Sequence, residues 1–435
     1  MYRKMLTVLL ATILLLTACS GGGSKQKDGE TSGNNAGKEK EITIWAWDKK
    51  FGIAAMELAI EKYTKEHPDV KINIVEYAQE DVVQKLNIAF SSKKESLLPT
   101  IILMEDYRAQ SFLQTYNEFF YDLSDHVKGE DFAPYKLGPT NYDGKQYGVP
   151  FDSGVAGFYV RTDYLEQAGY TLNDLQNIDW QQFIEIGKAV KEKTGKEMIT
   201  QDYNDLAFIR MMIQSAGVWY MEEDGETPYL QDNEVLKEAL MTYKEIMNAG
   251  IVKLVSDWAT YLAGFNNGDV AAVISGNWMV PSIKNQSDQA GKWGLAPIPK
   301  LRNVENSVNA SNLGGSSWYV LNVDGKEIAA DFLGKTLGSD VELYEDIVEQ
   351  VGVVATYTPV MKSDAFSVAD EYFAGQKLLE SYGEWMELIP NVNYGKHTYF
   401  IEDILKVEIQ NYLGGKSVED TLKDAQALAE SQLNK

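Results

Sequence analysis

The chain has 435 residues, 44% of them hydrophobic and 24% charged, and its 64 acidic against 40 basic residues give a formal net charge of −24. So acidic a body repels phosphate backbones, which argues against a nucleic-acid partner. One cysteine in the whole chain excludes an internal disulfide, so the core alone must supply stability. The length exceeds one ordinary core of ~100–200 residues and predicts two lobes.

Residues 1–18 read as a secretory signal: Arg3 and Lys4 precede an apolar run from Met5 to Leu16, which is too short for a permanent span of ~20 residues. Leu16-Thr17-Ala18-Cys19 resembles the bacterial lipobox, which implies cleavage before Cys19 and lipidation of its sulfur and amine. Several acyl chains hold a protein to a membrane better than one, at ~0.8 kcal/mol per buried CH₂. The alternative is an ordinary secreted protein in which Cys19 is incidental. Residues 19–40, rich in Gly, Ser, Lys, Asn and Glu without apolar periodicity, read as a flexible tether.

"EITIWAWD" (41–48) alternates β-formers and predicts a strand that delivers Trp45, Trp47 and Asp48 toward its carboxyl end. A helix over 53–66, a strand over 70–77, a helix over 81–92 and a strand over 100–105 follow, so the first region is α/β with a largely parallel sheet. Ligands of such sheets gather outside the carboxyl ends of strands. Asp143-Gly144 marks a turn, and short strands through Tyr147–Pro150 and Gly157–Val160 suit a chain passing between lobes. Residues 180–250 are mostly helical, with amphipathic runs at 181–193 and 234–248. "AGFNNGDVAAVISGNWMV" (263–280) predicts a helix end, a Gly-Asp turn and a buried strand, and "KWGLAPIPK" and "GGSSWYVL" predict further strands. From 326 onward helices return, interrupted at 356–360 and 390–397.

Catalytic signatures are sparse. His67, His126 and His397 have no metal spacing, and the chain contains no GxSxG elbow, no Walker loop and no GxGxxG after a strand. No metal or cofactor is expected. Paired carboxylates are plentiful, as they would be by chance among 64 acidic residues, so a surface hydrolase acting on glycans stays open as an alternative.

The first strand "TIWAWD", the stretches "DGKQYGVPFDSGVAGFYVRTDYLEQAGY", "FNNGDVAAVISGNW" and "ASNLGGSSWYVL", and their order together resemble the family 1 extracellular solute-binding proteins of bacterial ABC importers, the group that includes maltose- and lactose-binding proteins. "QSAGVWY" (214–220) and the last stretch look closest to the lactose or L-arabinose branch. The resemblance implies an α/β, two-lobed periplasmic-binding-protein type II fold with a central cleft and a strand-crossing hinge. It places 41–150 plus 274–325 in the first lobe and 151–273 plus 326–435 in the second. With the lipobox it implies a protein lipid-anchored on the extracytoplasmic face of the cell membrane that carries a carbohydrate ligand to permease subunits, and a monomer is the default for a protein that must open and shut. A binding protein that feeds a sensor kinase is the remaining alternative.

Sugars present hydroxyls around apolar C–H faces, so a sugar site needs aromatic plates with carboxylates, amides and guanidinium groups at the edges. With nine Trp and 25 Tyr, plates are abundant, but aromatics also build cores. At the family's matching place Asp48 would accept from sugar hydroxyls; otherwise it caps the next helix. Trp47 shares a face with Trp45, and one or both belong to the core or the site. Asp106 and Arg108 follow the third strand, as ligand contacts or as part of a surface ion pair with Glu105. Asp152, beside the expected hinge, would meet a hydroxyl on closure or cap a turn. Trp219 and Trp278 follow breaks in the chain, where aromatics reach a cleft; Trp258 and Trp318 read equally as core. Asn277, Gly315 and Ser316 would supply an amide, close backbone approach and a hydroxyl. Tyr394 is an aromatic candidate from the second lobe.

Overall fold

The structure, a computed structural model, describes residues 40–433; the expected signal, the lipidation of Cys19 and nearly all of the tether lie outside them. Strand β1 (Lys40–Ala46) turns Ile42, Ile44 and Ala46 inward, all fully buried. It pairs in parallel with β2 (Val70–Glu76) and β3 (Ile101–Glu105), and the helices Gly52–Glu66 and Gln79–Ser91 make the crossovers that parallel pairing requires. A hairpin of β4 (Asn141–Tyr142) and β5 (Lys145–Gln146) turns at Asp143-Gly144, both with positive φ. There follow β6 (Gly148–Asp152), β7 (Ala156–Arg161), the parallel pair β8 (Ile199–Asp202) and β9 (Val252–Val255), then β10 (Ala272–Gly276), β11 (Trp293–Pro297) and β12 (Ser316–Val320).

Two main sheets result. One has five strands in the order β2-β1-β3-β12-β6, and the other has three in the order β10-β7-β11. Each carries its own core, because each sheet must bury an apolar face against helices. Ile42, Leu103, Val149 and Trp318 pack with Phe332, Leu343 and Ile347, whereas Phe158, Val160 and Ile274 pack with Phe183, Ile213, Leu240 and Ile409. The helices are locally specified too: Asp179 accepts from the Gln181 and Gln182 N–H groups at the start of Trp180–Thr194, and left-handed Gly195 stops it.

Three segments cross side by side between the sheets. The Ser153 N–H bonds the Val354 carbonyl at 2.9 Å, and the Leu313 N–H bonds the Gly154 carbonyl at 2.7 Å. Asp152 bridges Ala355, and Val155 bridges Asn312. The crossing expected near Gly148–Gly154 is therefore present, but two expected boundaries move. Segment 274–297 does not return to the first sheet, since β10 and β11 both pair with β7; the glycine and serine of "ISGN" end the buried strand β10 rather than form a linker. Helices Lys326–Lys335 and Val341–Val351 pack on the five-stranded sheet, because their apolar faces find Trp318 and Ile42 there.

Candidate functional site

The carboxyl ends of β1 and β3, the crossing segments and one face of the second lobe enclose a cavity of about 420 Å³. β1 ends at Ala46, so Trp47 and Asp48 lie just past it, and Asp48 takes a left-handed φ of 60°. Its Oδ1 accepts the Lys50 N–H at 3.0 Å, a local turn bond, while the residue lines the cavity. The local bond matches the capping alternative, and the position leaves Asp48 beside the cavity.

Asp152, at the end of β6, accepts from both the Ser316 N–H and the Ser316 hydroxyl at 2.6 Å. Burial raises its carboxyl above the usual range, opposed by nearby Lys136 and by Ser316. Gly314 and Gly315, at φ 94° and 88°, let the chain turn tightly into β12; a Cβ on Gly315 would sit 3.1 Å from Asp106 Oδ2 and 3.2 Å from the Asp152 carbonyl. Asp152, Gly315 and Ser316 all line the cavity.

On the opposite wall, the Trp258 and Tyr261 rings stack at 5.3 Å with 7° between planes, and Trp278 lies 6.2 Å from Trp258. Trp258 is 53% exposed and Trp278 37%, which is unusual for indoles and leaves part of each ring open to a ligand. Asp257 starts the helix Trp258–Asn266 by accepting the Thr260 N–H, and Trp278 Nε1 donates to the Leu313 carbonyl at 2.7 Å, fixing the ring. Arg210 reaches the cavity with Nε 2.6 Å from Glu402 Oε1 and a second bond from Nη2 to Oε2. Burial opposes its charge, but the Glu402 carboxylate outweighs that and holds the guanidinium above its ordinary value. Glu105 and Asp205 also line the cavity. Burial raises both carboxyls, opposed at Glu105 by the Tyr399 hydroxyl and by Arg210 and Arg108, and at Asp205 mainly by Arg210. Indole faces beside fixed acceptors and donors suit a ring with apolar faces and hydroxyl edges.

Trp47, Asp48, Asp152, Trp278, Gly315 and Ser316 therefore come together at this cavity. Asn277 lines a neighbouring cavity of about 890 Å³ that shares Asp48, Phe51, Asp152 and Trp278, and its Oδ1 is buried without a hydrogen-bond partner. Four other candidates line neither cavity. Asp106 is 1% exposed and bonds Lys136 Nζ at 2.5 Å and the Ser317 hydroxyl at 2.9 Å; the same ammonium reaches the carbonyls of Asp152 and Ser316, so the pair braces the cavity floor from below. Arg108 faces away, 3.6 Å from Glu80 and Glu105 and over the Tyr399 ring. Trp219, 2% exposed, donates its Nε1 hydrogen to Thr398 and stacks on Tyr107. Tyr394, 1% exposed, closes the same cluster. Sequence reading missed Arg210, Asp205, Gln201 and Tyr261, and left Trp258 undecided. A lone arginine in the apolar helix run "AFIRMMIQS" is the signal that would have marked Arg210.

Two α/β lobes joined by crossing strands around such a cavity define a ligand-capturing binding protein. The chain belongs to the bacterial extracellular solute-binding proteins, whose family model matches residues 59–374. It is 43% identical over 394 residues to the lactose-binding protein of Rhizobium radiobacter, covering 90% of this chain and 93% of that one. An arabinooligosaccharide-binding protein of Halalkalibacterium halodurans is 24% identical over 410 residues, covering 90% and 89%. Among solved structures, the sugar-binding protein MalE from Xanthomonas citri matches with a TM-score of 0.75 at 18% identity, over 91% of this chain and 97% of that one. A binding protein from B. animalis subsp. lactis in complex with beta-1,6-galactobiose matches at 0.70 and 21% identity, over 91% and 98%. The family is defined by holding a solute, not by turning it over. Among the described residues no helix is long and apolar enough to cross a membrane.

Proposed function

We propose that the protein is the sugar receptor of an ABC importer, tethered by lipid on Cys19 to the extracytoplasmic face of the cell membrane and acting as a monomer. A sugar of disaccharide size or somewhat longer, with lactose the first candidate, stacks on Trp258 and Trp278. Asp48, Glu105, Asp152 and Asp205 accept from its hydroxyls. The lobes then close about the three crossing segments, and the closed form is presented to the permease subunits. Hydroxyl recognition by buried acceptors supplies selectivity, since an analogue lacking one hydroxyl leaves a polar group unpaired.

The observation that carries this reading is the exposed Trp258–Trp278 pair facing four carboxylates across one cavity. The 43% identity to a lactose-binding protein supports lactose in particular. Isothermal titration of the purified protein against lactose, galactose, an arabino-oligosaccharide and maltotriose tests it. Saturable heat with lactose and little with maltotriose is expected; no heat with any sugar would refute the reading.

A further inference from the structure

Beyond Trp278 the cleft continues into the larger cavity, about 890 Å³, and its walls are of a different kind. Val280 and Pro281 face Val351, Val353, Val368 and Leu379, all aliphatic. Three of the polar side chains that reach it are already engaged. Lys284 Nζ lies 2.9 Å from Asp370, the Tyr372 hydroxyl lies 2.8 Å from the carbonyl oxygens of Ile283 and Gln286, and the Tyr382 hydroxyl lies 2.8 Å from that of Tyr159. Glu349 and Glu371 are exposed to solvent. A sugar ring placed here would lose water from its hydroxyls and find few open partners, whereas an apolar group would lose nothing.

The geometry points to a site for the apolar aglycone of a glycoside, with the sugar ring held between Trp258, Trp278 and the carboxylates and an alkyl or aryl substituent in the aliphatic chamber. The two cavities share Asp48, Phe51, Asp152 and Trp278, so one ligand spans both along a continuous wall. Asn277 adjoins Trp278 at this junction. The inference rests on the sugar reading above and adds the class of ligand that the second chamber selects.

Titration with methyl, butyl and hexyl β-galactosides, beside lactose and below any micelle-forming concentration, tests it on the full chain. Affinity should rise about fourfold per methylene that becomes buried. Val368 is 60% exposed, so Val368→Asp should fold normally. In that variant methyl galactoside should bind within about twofold of wild type, while the hexyl advantage falls at least about tenfold. Lactose binding with methyl, butyl and hexyl galactosides all within twofold of one another would overturn this inference and leave the sugar reading intact. Equal weakening of methyl and hexyl glycosides by Val368→Asp would overturn it too. Failure of every glycoside, lactose included, would remove the sugar reading and this inference together.

Discussion

Trp219 and Trp258 sit in two aromatic clusters of similar composition, and only one of them meets solvent. Trp219 packs among Tyr107, Tyr220 and Tyr394, and its indole N–H is spent on Thr398, so the cluster is closed on every side. Trp258 has Tyr261 behind it and Trp278 at an angle, but its remaining face looks into the cavity. An aromatic ring does one of two jobs according to what covers it: with both faces packed it stabilises the fold, and with one face open it is held ready for a ligand. The difference comes from the helix Thr398–Leu413, whose first residue, Thr398, takes the Trp219 indole N–H; among the described residues no such element covers Trp258, which is 53% exposed.

Substitutions separate the two jobs. The largest effect is expected from Trp219→Ala, which opens a cavity in the core and should lower stability by about 3–5 kcal/mol in urea titration, with sugar affinity of the folded protein within about threefold. Trp258→Ala should do the reverse, weakening sugar binding by about 2 kcal/mol, or ~30-fold in Kd, while the urea midpoint barely moves. Equal loss of stability in both variants would erase the distinction.

The smallest effect belongs to the carboxylate rim. Because burial raises Glu105 in the folded state, that state holds the proton more tightly than the unfolded chain does. Stability from this group is therefore present at low pH and is lost as pH rises from the ordinary carboxylate value of ~4 through the raised folded value. Glu105→Gln removes that loss, so its stability relative to wild type should increase with pH across this window. A difference independent of pH would show that burial does not raise the Glu105 carboxyl in the folded state.

Much of the architecture is legible in the chain itself. Period-2 alternation in "EITIWAW" and helical spacing after Gly52 are local properties, and the structure has β1 and the helix Gly52–Glu66 there. The placement of Asp152 and Ser316 beside the cavity was readable because each sits where a strand meets a glycine-bearing turn. The two readings of Asp106 and Arg108 stayed open because a charge after a strand looks alike whether it faces a cleft, a neighbouring carboxylate or a buried lysine. Lys136, 30 residues further on, gives no local sign of being Asp106's partner. Arg210 was missed for the converse reason: its salt bridge to Glu402 spans 192 residues.

What the sequence determined alone was the class of local element, the two-lobe scale, the acidic surface and the family, since these depend on periodicity, composition and motif order. Which aromatics are plates and which are core was decided only by the tertiary structure. So was the point at which the chain re-enters the first sheet, at β12 rather than β10. Burial and strand pairing are properties of which distant segments meet, and no short window of residues contains them.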